Sequence, residues 1–351
     1  MELGVYTFGS AARDEATGRP VSSAQAQRNL VEAIKVADEV GLDYFGIGEH
    51  HSEDMPASAA ATVLAAGASI TSSITLASAV TVLGTEDPVR VYQQFATLDA
   101  VSNGRAEITA GRGSSIESFP LFGYDLRDYD ELYAEKLDLL LAIDRNERVT
   151  WQGRFRPALQ DAEIVPRPDS GHLPIWLGTG GNPRSSLRAG QLGLPISYGI
   201  IGGQPHRFAQ LAELYRRSAR AAGTPEDRIK VSVASPGFIG DDGPSARDTW
   251  WPAWHDSMAT IGHRRGFPPP SRPAYDLDTS PQGALFVGSP QEVAERIVAL
   301  HGSLGHMRHF FQMDFGNLAQ RDFLRSIELL GMKVKPLVDA ELAATGSEVG
   351  A

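Results

Sequence analysis

The chain has 351 residues, 42% of them hydrophobic, with Asp+Glu 43 against Lys+Arg 32 and a formal net charge of -11 at pH 7. An acidic chain with no basic stripe fits neither nucleic acid nor an anionic membrane as partner. Cysteine is absent, which excludes disulfides, thiolate metal sites, iron–sulfur clusters and thiol nucleophiles. The sequence holds no signal-peptide pattern and no run of 18 apolar residues, so a soluble cytoplasmic protein is expected.

An apolar strand is predicted over 3–8, followed by a polar loop with Gly18 and Pro20. Residues 22–40 read as a helix. Ser22 and Gln25 form its capping box, Ala26, Leu30, Ala33, Ile34 and Ala37 its inward stripe, and Gly41 its stop. A short buried strand over 44–47 runs into Glu49, His50 and His51. A small-residue helix over 56–72 and a strand over 75–82 come next. Asp87 and Pro88 start a third helix, Asn103 and Gly104 end it, and 105–110 is a fourth strand. One helix between each pair of strands is the βαβ rhythm of parallel strands with right-handed crossovers.

The rhythm continues. A long Gly- and Ser-rich loop over 111–127 is expected to be functional. A helix over 129–143 and an irregular excursion with a hairpin over 149–168 follow. Further strands are predicted over 173–178, 195–200, 230–239 and 308–313, and helices over 183–192, 206–222, 289–300 and 320–330. Residues 241–288, with Trp250, Trp251 and Trp254, read as an insertion between the seventh strand and the following helix, helical over 245–262. The tail from Ala340 is expected to fray. Eight strands alternating with helices predict an α/β fold, a (β/α)8 TIM barrel in a single domain. A doubly wound open sheet is the alternative, and no Gly-x-Gly-x-x-Gly follows the first strand to support it.

In a barrel, the carboxyl ends of the strands form the site. Charged groups at the end of a buried strand are costly unless they have partners or chemical work. That singles out Glu49, His50 and His51; a pair of satisfied structural histidines is the plain alternative. Neighbours on extended backbone point to opposite faces, so one histidine is expected in the barrel mouth and the other outside it, unless the strand is already turning and His51 shares the pocket. The same alternation argues against a shared metal ion, and neither H-E-x-x-H nor G-x-S-x-G is present. No metal site is expected, and a metal-dependent hydrolase is disfavoured. Thr179, Gly180 and Gly181 run straight into a helix, and Arg112 stands between Gly111 and Gly113 at the neighbouring strand end. Bare amides, a helix N-terminus and a guanidinium suggest one phosphate held between strands four and five. A tight turn that needs glycine only for its geometry, with Arg112 merely exposed, is the other reading.

Glu49-His50-His51, Ala77-Ser78-Ala79-Val80, Pro88-Val89-Arg90, Ser102-Asn103-Gly104-Arg105 and Gly111-Arg112-Gly113 occur in that order. Together they resemble the bacterial luciferase-like flavin-dependent monooxygenases over nearly the whole chain, to Gln312 and Met313. The resemblance implies a barrel that binds FMN without a covalent bond, is fed by a separate flavin reductase, forms a homo-oligomer and uses O2 on a small organic substrate. It implies a non-prolyl cis peptide at the Ser78-Ala79 position under the flavin ring, Arg112 on the flavin phosphate, and Thr179, Gly180 and Gly181 as the phosphate loop. One histidine, with His50 favoured, matches the general base, and Glu49 would orient a histidine. Gly111 stands where luciferases carry a reactive cysteine. With the unlike loop after strand four and the insertion, this argues against an aldehyde substrate and light emission. An F420-dependent hydride-transfer enzyme and a non-catalytic flavin-binding barrel are the alternatives on the same scaffold. The Glu-His-His signature favours the monooxygenase over the F420 enzyme, and retention of both histidines speaks against the non-catalytic barrel.

Overall fold

The structure is a computed structural model that describes residues 1–14, 16–113 and 116–348. Among the described residues, eight parallel strands close on themselves. They are β1 (Glu2–Thr7), β2 (Tyr44–Ile47), β3 (Thr75–Ser78), β4 (Ala106–Gly111), β5 (Ile175–Thr179), β6 (Ile196–Gly199), β7 (Val231–Ile239) and β8 (Arg308–Gln312). Each pairs with the next, and β8 returns to β1 with Glu2 opposite Arg308. Closure rules out the open-sheet alternative.

Alternation sorts the side chains of each strand. Leu3 and Val5 join the main core under the helices, while Tyr6 joins Tyr44, Ala77, Ala79, Ala234 and Phe310 inside the barrel. Between Leu3 and Val5, Gly4 is required: a Cβ there would lie 2.3 Å from the Tyr44 carbonyl oxygen. The interior aromatics climb as a ladder. Tyr44 meets Phe310 at 4.6 Å between centroids, Phe310 meets Tyr6 at 5.3 Å, Tyr6 meets Phe8 at 5.6 Å, and Phe8 meets the His50 ring at 4.5 Å. At the amino end the buried Arg308 guanidinium closes the barrel, 2.6 Å from Glu107 and 2.5 Å from Glu2. The Tyr44 and Trp176 rings lie against it.

Boundaries differ from expectation where backbone groups find distant partners. The helix expected over 56–72 is Ala60–Ala68. The Ala57 carbonyl accepts from the His50 amide at 3.2 Å and the Pro56 carbonyl from Gln27 Nε2 at 2.7 Å, so neither serves a helix. Ser22 does cap the helix Ser23–Glu39, but Gln25 turns its side-chain amide to Asn29, so that box is half made. The box of Ser289 and Glu292 on Pro290–Leu304 is complete. β3 stops at Ser78; after a cis peptide between Ala79 and Val80, Thr81–Val82 pairs with Ala110 and Gly111 of β4. Arg105, part of the family-like motif, is architectural: its guanidinium donates to Ile74 O at 2.8 Å and to the Ala68 and Thr71 carbonyls.

The excursion does hold a hairpin, Arg148–Trp151 against Leu159–Glu163. Residues 241–288 carry a longer helix than expected, Gly243–Arg265, capped by Asp242 and ended by Gly266 at φ +81. Its Trp250 is fully buried and donates to the Met313 carbonyl at 2.8 Å. The helix Arg272–Asp278 follows, and Phe286–Gly288 runs parallel to the end of β7. The tail expected to fray from Ala340 is helical to Glu348, because Val334 and Val338 are buried and Lys335 pairs with Asp43 at 2.7 Å. Its last three residues lie outside the described ones.

Arg308→Ala is expected to strip Glu107 of its buried partner and lower the unfolding free energy by about 3–5 kcal/mol. Chemical denaturation should then give a lower midpoint at an unchanged m value. A loss below about 1 kcal/mol, the surface ion-pair scale, would contradict the closing role of Arg308.

Candidate active site

A cavity of about 610 Å³ opens at the carboxyl ends of the strands. Val80 forms its floor, beside Tyr6, Ala234 and Phe310 from the interior. A Cβ on Gly111 would lie 2.4 Å from Val80 Cγ2, and one on Gly178 would lie 2.8 Å from Val80 Cγ1. Val80 therefore fills the space that a larger residue at 111 would need. The cis bond lies at Ala79–Val80, one bond later than the expected Ser78-Ala79. Ala79 lines the cavity, but Ser78 does not. Its buried hydroxyl accepts from the Thr109 amide at 3.0 Å and ties β3 to β4.

Of the two expected placements the structure shows the shared one: His50 and His51 line the same cavity. β2 ends at Ile47, and the Glu49 amide then bonds to Val80 O at 3.1 Å. The chain has left the sheet ladder, so strict alternation no longer applies. Glu49 is buried and doubly committed. One carboxylate oxygen accepts from the Val82 amide at 2.9 Å and the other from His51 Nε2 at 2.8 Å. That hydrogen bond raises the His51 pKa against the cost of burial. His50 Nδ1 meets Glu117 Oε1 at 3.0 Å, and this bond holds the Glu117 carboxyl down at about 2. A carboxylate only accepts, so His50 carries its proton on Nδ1 and His51 on Nε2. The opposite ring nitrogens, Nε2 of His50 and Nδ1 of His51, have no protein partner among the described residues.

Glu117 was not legible as an individual residue. The only signal was the Gly- and Ser-rich loop that carries it, in which Ser114 and Ser115 lie outside the described residues. Phe8, packed on His50, and Phe122, edge-on to His51 at 5.1 Å, were likewise missed.

The ends of β4 and β5 do come together. Arg112 lines the cavity, with Nη1 2.6 Å from Asp130 and Nη2 donating to Ser185 Oγ at 2.9 Å. Ser185 lies in the first turn of Pro183–Leu192, the helix that Asn182 caps. Gly180 lines the cavity, and a Cβ there would meet nothing within 4 Å. Gly181 is a turn glycine at φ +101 and lies off the cavity wall. Thr179 lines the cavity, and its hydroxyl accepts from the Gly181 and Asn182 amides, both at 3.3 Å. The candidate anion site is thus Arg112, Thr179 and Gly180, with Gly181 shaping the turn. Among the described residues no group of three or more acidic or imidazole side chains is placed to hold a metal ion, and no helix is long and apolar enough to cross a membrane.

Comparison with known proteins concerns the chain and its fold as a whole. Over 334 residues the chain is 25% identical to the uncharacterized protein y4vJ of Sinorhizobium fredii, across 92% of this chain and 94% of that one. It is 32% identical over 176 residues to the F420-dependent glucose-6-phosphate dehydrogenase of Beutenbergia cavernae, across 48% of this chain and 51% of the relative. A type II Baeyer–Villiger monooxygenase, the oxygenating constituent of 3,6-diketocamphane monooxygenase from the CAM plasmid of Pseudomonas putida in complex with FMN, has the same fold. Its TM-score is 0.76 at 21% identity, over 96% of this chain and 98% of that one. The sequence model described as luciferase-like monooxygenase matches residues 1–307, and the chain belongs to that family of oxidoreductases.

Proposed function

We propose that the protein is an FMN-dependent monooxygenase that receives reduced flavin from a separate reductase and uses O2 on a small organic substrate. One observation carries the reading: a single cavity is lined by a guanidinium, an open glycine turn and two carboxylate-held histidines. Its volume, about 610 Å³, is within the range of about 300–1,000 Å³ usual for cofactor sites. Gly111 and Gly178 leave the floor bare except for Val80, which suits a flat ring, and Gly180 leaves room for a phosphate tail. Arg112 would hold that phosphate in exchange for its exposed Asp130 contact.

Bound reduced FMN supplies the electrons that activate O2. The protein's part is to position groups and exclude water. His50 exchanges a proton at Nε2 while Glu117 keeps Nδ1 protonated. Glu49 holds the His51 ring by its Nε2 proton and raises its pKa. Tyr6, Phe8 and Phe310 make the inner wall apolar. A second reading, F420-dependent hydride transfer, is supported by the F420-dependent glucose-6-phosphate dehydrogenase among the relatives. It requires the same cavity but no O2.

Titrating the protein with FMN and with F420 separates the two. FMN is expected to bind, and Arg112→Ala to weaken it by about 1.5–3 kcal/mol, the scale of a hydrogen bond to a charged group. Unchanged affinity would remove Arg112 from the site, and binding of F420 alone would favour the second reading. His50→Ala is expected to keep FMN affinity within a few-fold and to cut turnover by about 10²–10⁴-fold. In an assay with an added reductase, peroxide released per NADH should rise. Loss confined to His51→Ala would move the proton-transfer role to His51, and loss in neither would leave both histidines structural.

A further inference from the structure

A lysine outside the cavity touches the supports of both histidines. Lys136 lies on the helix Tyr129–Arg145 and is 1% exposed. Its ammonium makes one hydrogen bond among the described residues, to the Gly84 carbonyl at 2.7 Å. On another side it sits 3.9 Å from the centroid of the Tyr124 ring. Gly84 is two residues after Val82, whose amide holds the Glu49 carboxylate that holds His51. Tyr124 belongs to the segment that carries Glu117, the partner of His50. That segment is internally bonded, with the Tyr124 amide donating to Phe119 O at 2.8 Å and the Phe122 amide to Ser118 O at 3.0 Å. Phe119 is buried and packs toward Gly84.

We propose that Lys136 is a positioning residue for both histidines. Through Gly84 it fixes the 81–84 turn and with it Glu49 and His51. Through the Tyr124 ring it docks the 117–124 segment and with it Glu117 and His50. A desolvated ammonium against an aromatic face is attracted by the ring quadrupole, and the Tyr124 ring lies against this one. Burial pushes the Lys136 ammonium down to about 8, against the pull of Asp87, Glu86 and Glu135. Folding therefore bears a cost to keep it charged. Methionine of similar volume removes that cost, and Lys136→Met is expected to fold. The inference rests on the acid–base role given to His50 and His51.

Ring ¹⁵N chemical shifts report which imidazole nitrogen is protonated, and the histidine signals are assigned with His50→Gln and His51→Gln. In the native protein His50 should be protonated at Nδ1 and His51 at Nε2. Lys136→Met should shift both toward tautomer mixtures at unchanged far-UV circular dichroism and FMN affinity. Tyr124→Leu should shift His50 alone, and Tyr124→Phe, which keeps the ring, should shift neither. Native shifts at both histidines in Lys136→Met, or at His50 in Tyr124→Leu, would overturn the proposal, as would a change at one histidine only in Lys136→Met. The shifts are read without flavin or substrate. Failure here is thus distinct from failure of the monooxygenase reading, which the flavin titration tests.

Discussion

Val80 wedged between Gly111 and Gly178 is the contact on which the site depends. Because two strand ends carry no side chain, the valine after the cis bond can lie across the barrel mouth. Its carbonyl then takes the Glu49 amide, and two residues later the Val82 amide takes the Glu49 carboxylate. The ends of β2, β3, β4 and β5 are therefore fixed to one another by a four-residue turn. Gly46 belongs to the same arrangement, since a Cβ there would be 2.7 Å from the Ala79 Cβ. A side chain at 111 would expel the valine, so a reactive cysteine at that position and this floor are mutually exclusive.

The two ends of the cavity are built on different electrostatic terms. Each histidine has a carboxylate of its own at hydrogen-bond distance, and the Glu49–His51 pair is buried. Charge there is compensated in a region of low dielectric, where geometry is held tightly and unpaired groups are expensive. Arg112 faces a carboxylate that is 77% exposed. An exposed ion pair is worth little, so an anion would displace it at small cost. The rigid end suits proton transfer, and the exchangeable end suits capture of an anion.

The fold was legible because its signals are local. Strands buried on both faces read as short apolar runs, helices carry an inward stripe, and Asp87-Pro88 or Ser289-Glu292 mark starts by contacts within one turn. Helix ends were misjudged where a distant group takes the carbonyl, as His50 does with Ala57. The site was half legible. Glu49, His50, His51, Arg112 and Gly180 announce themselves at strand ends. The placement of both histidines in one cavity follows from the turn past Ile47, the last ladder pair, where strict alternation ends. Ser78 was assigned a cofactor contact, yet its hydroxyl is spent on Thr109. Glu117 and Lys136 have no local signature: each matters through a residue more than fifty positions away, His50 and Gly84 respectively.

The central claim is that this cavity holds reduced FMN and governs its encounter with O2. Rapid mixing of the protein–reduced FMN complex with oxygenated buffer tests it, following O2 consumption and the return of oxidised-flavin absorbance together. The account predicts that O2 is consumed before the flavin absorbance returns, with the interval shortened in His50→Ala. Oxygen consumption and flavin reoxidation in step, at the rate of free reduced FMN, would contradict it.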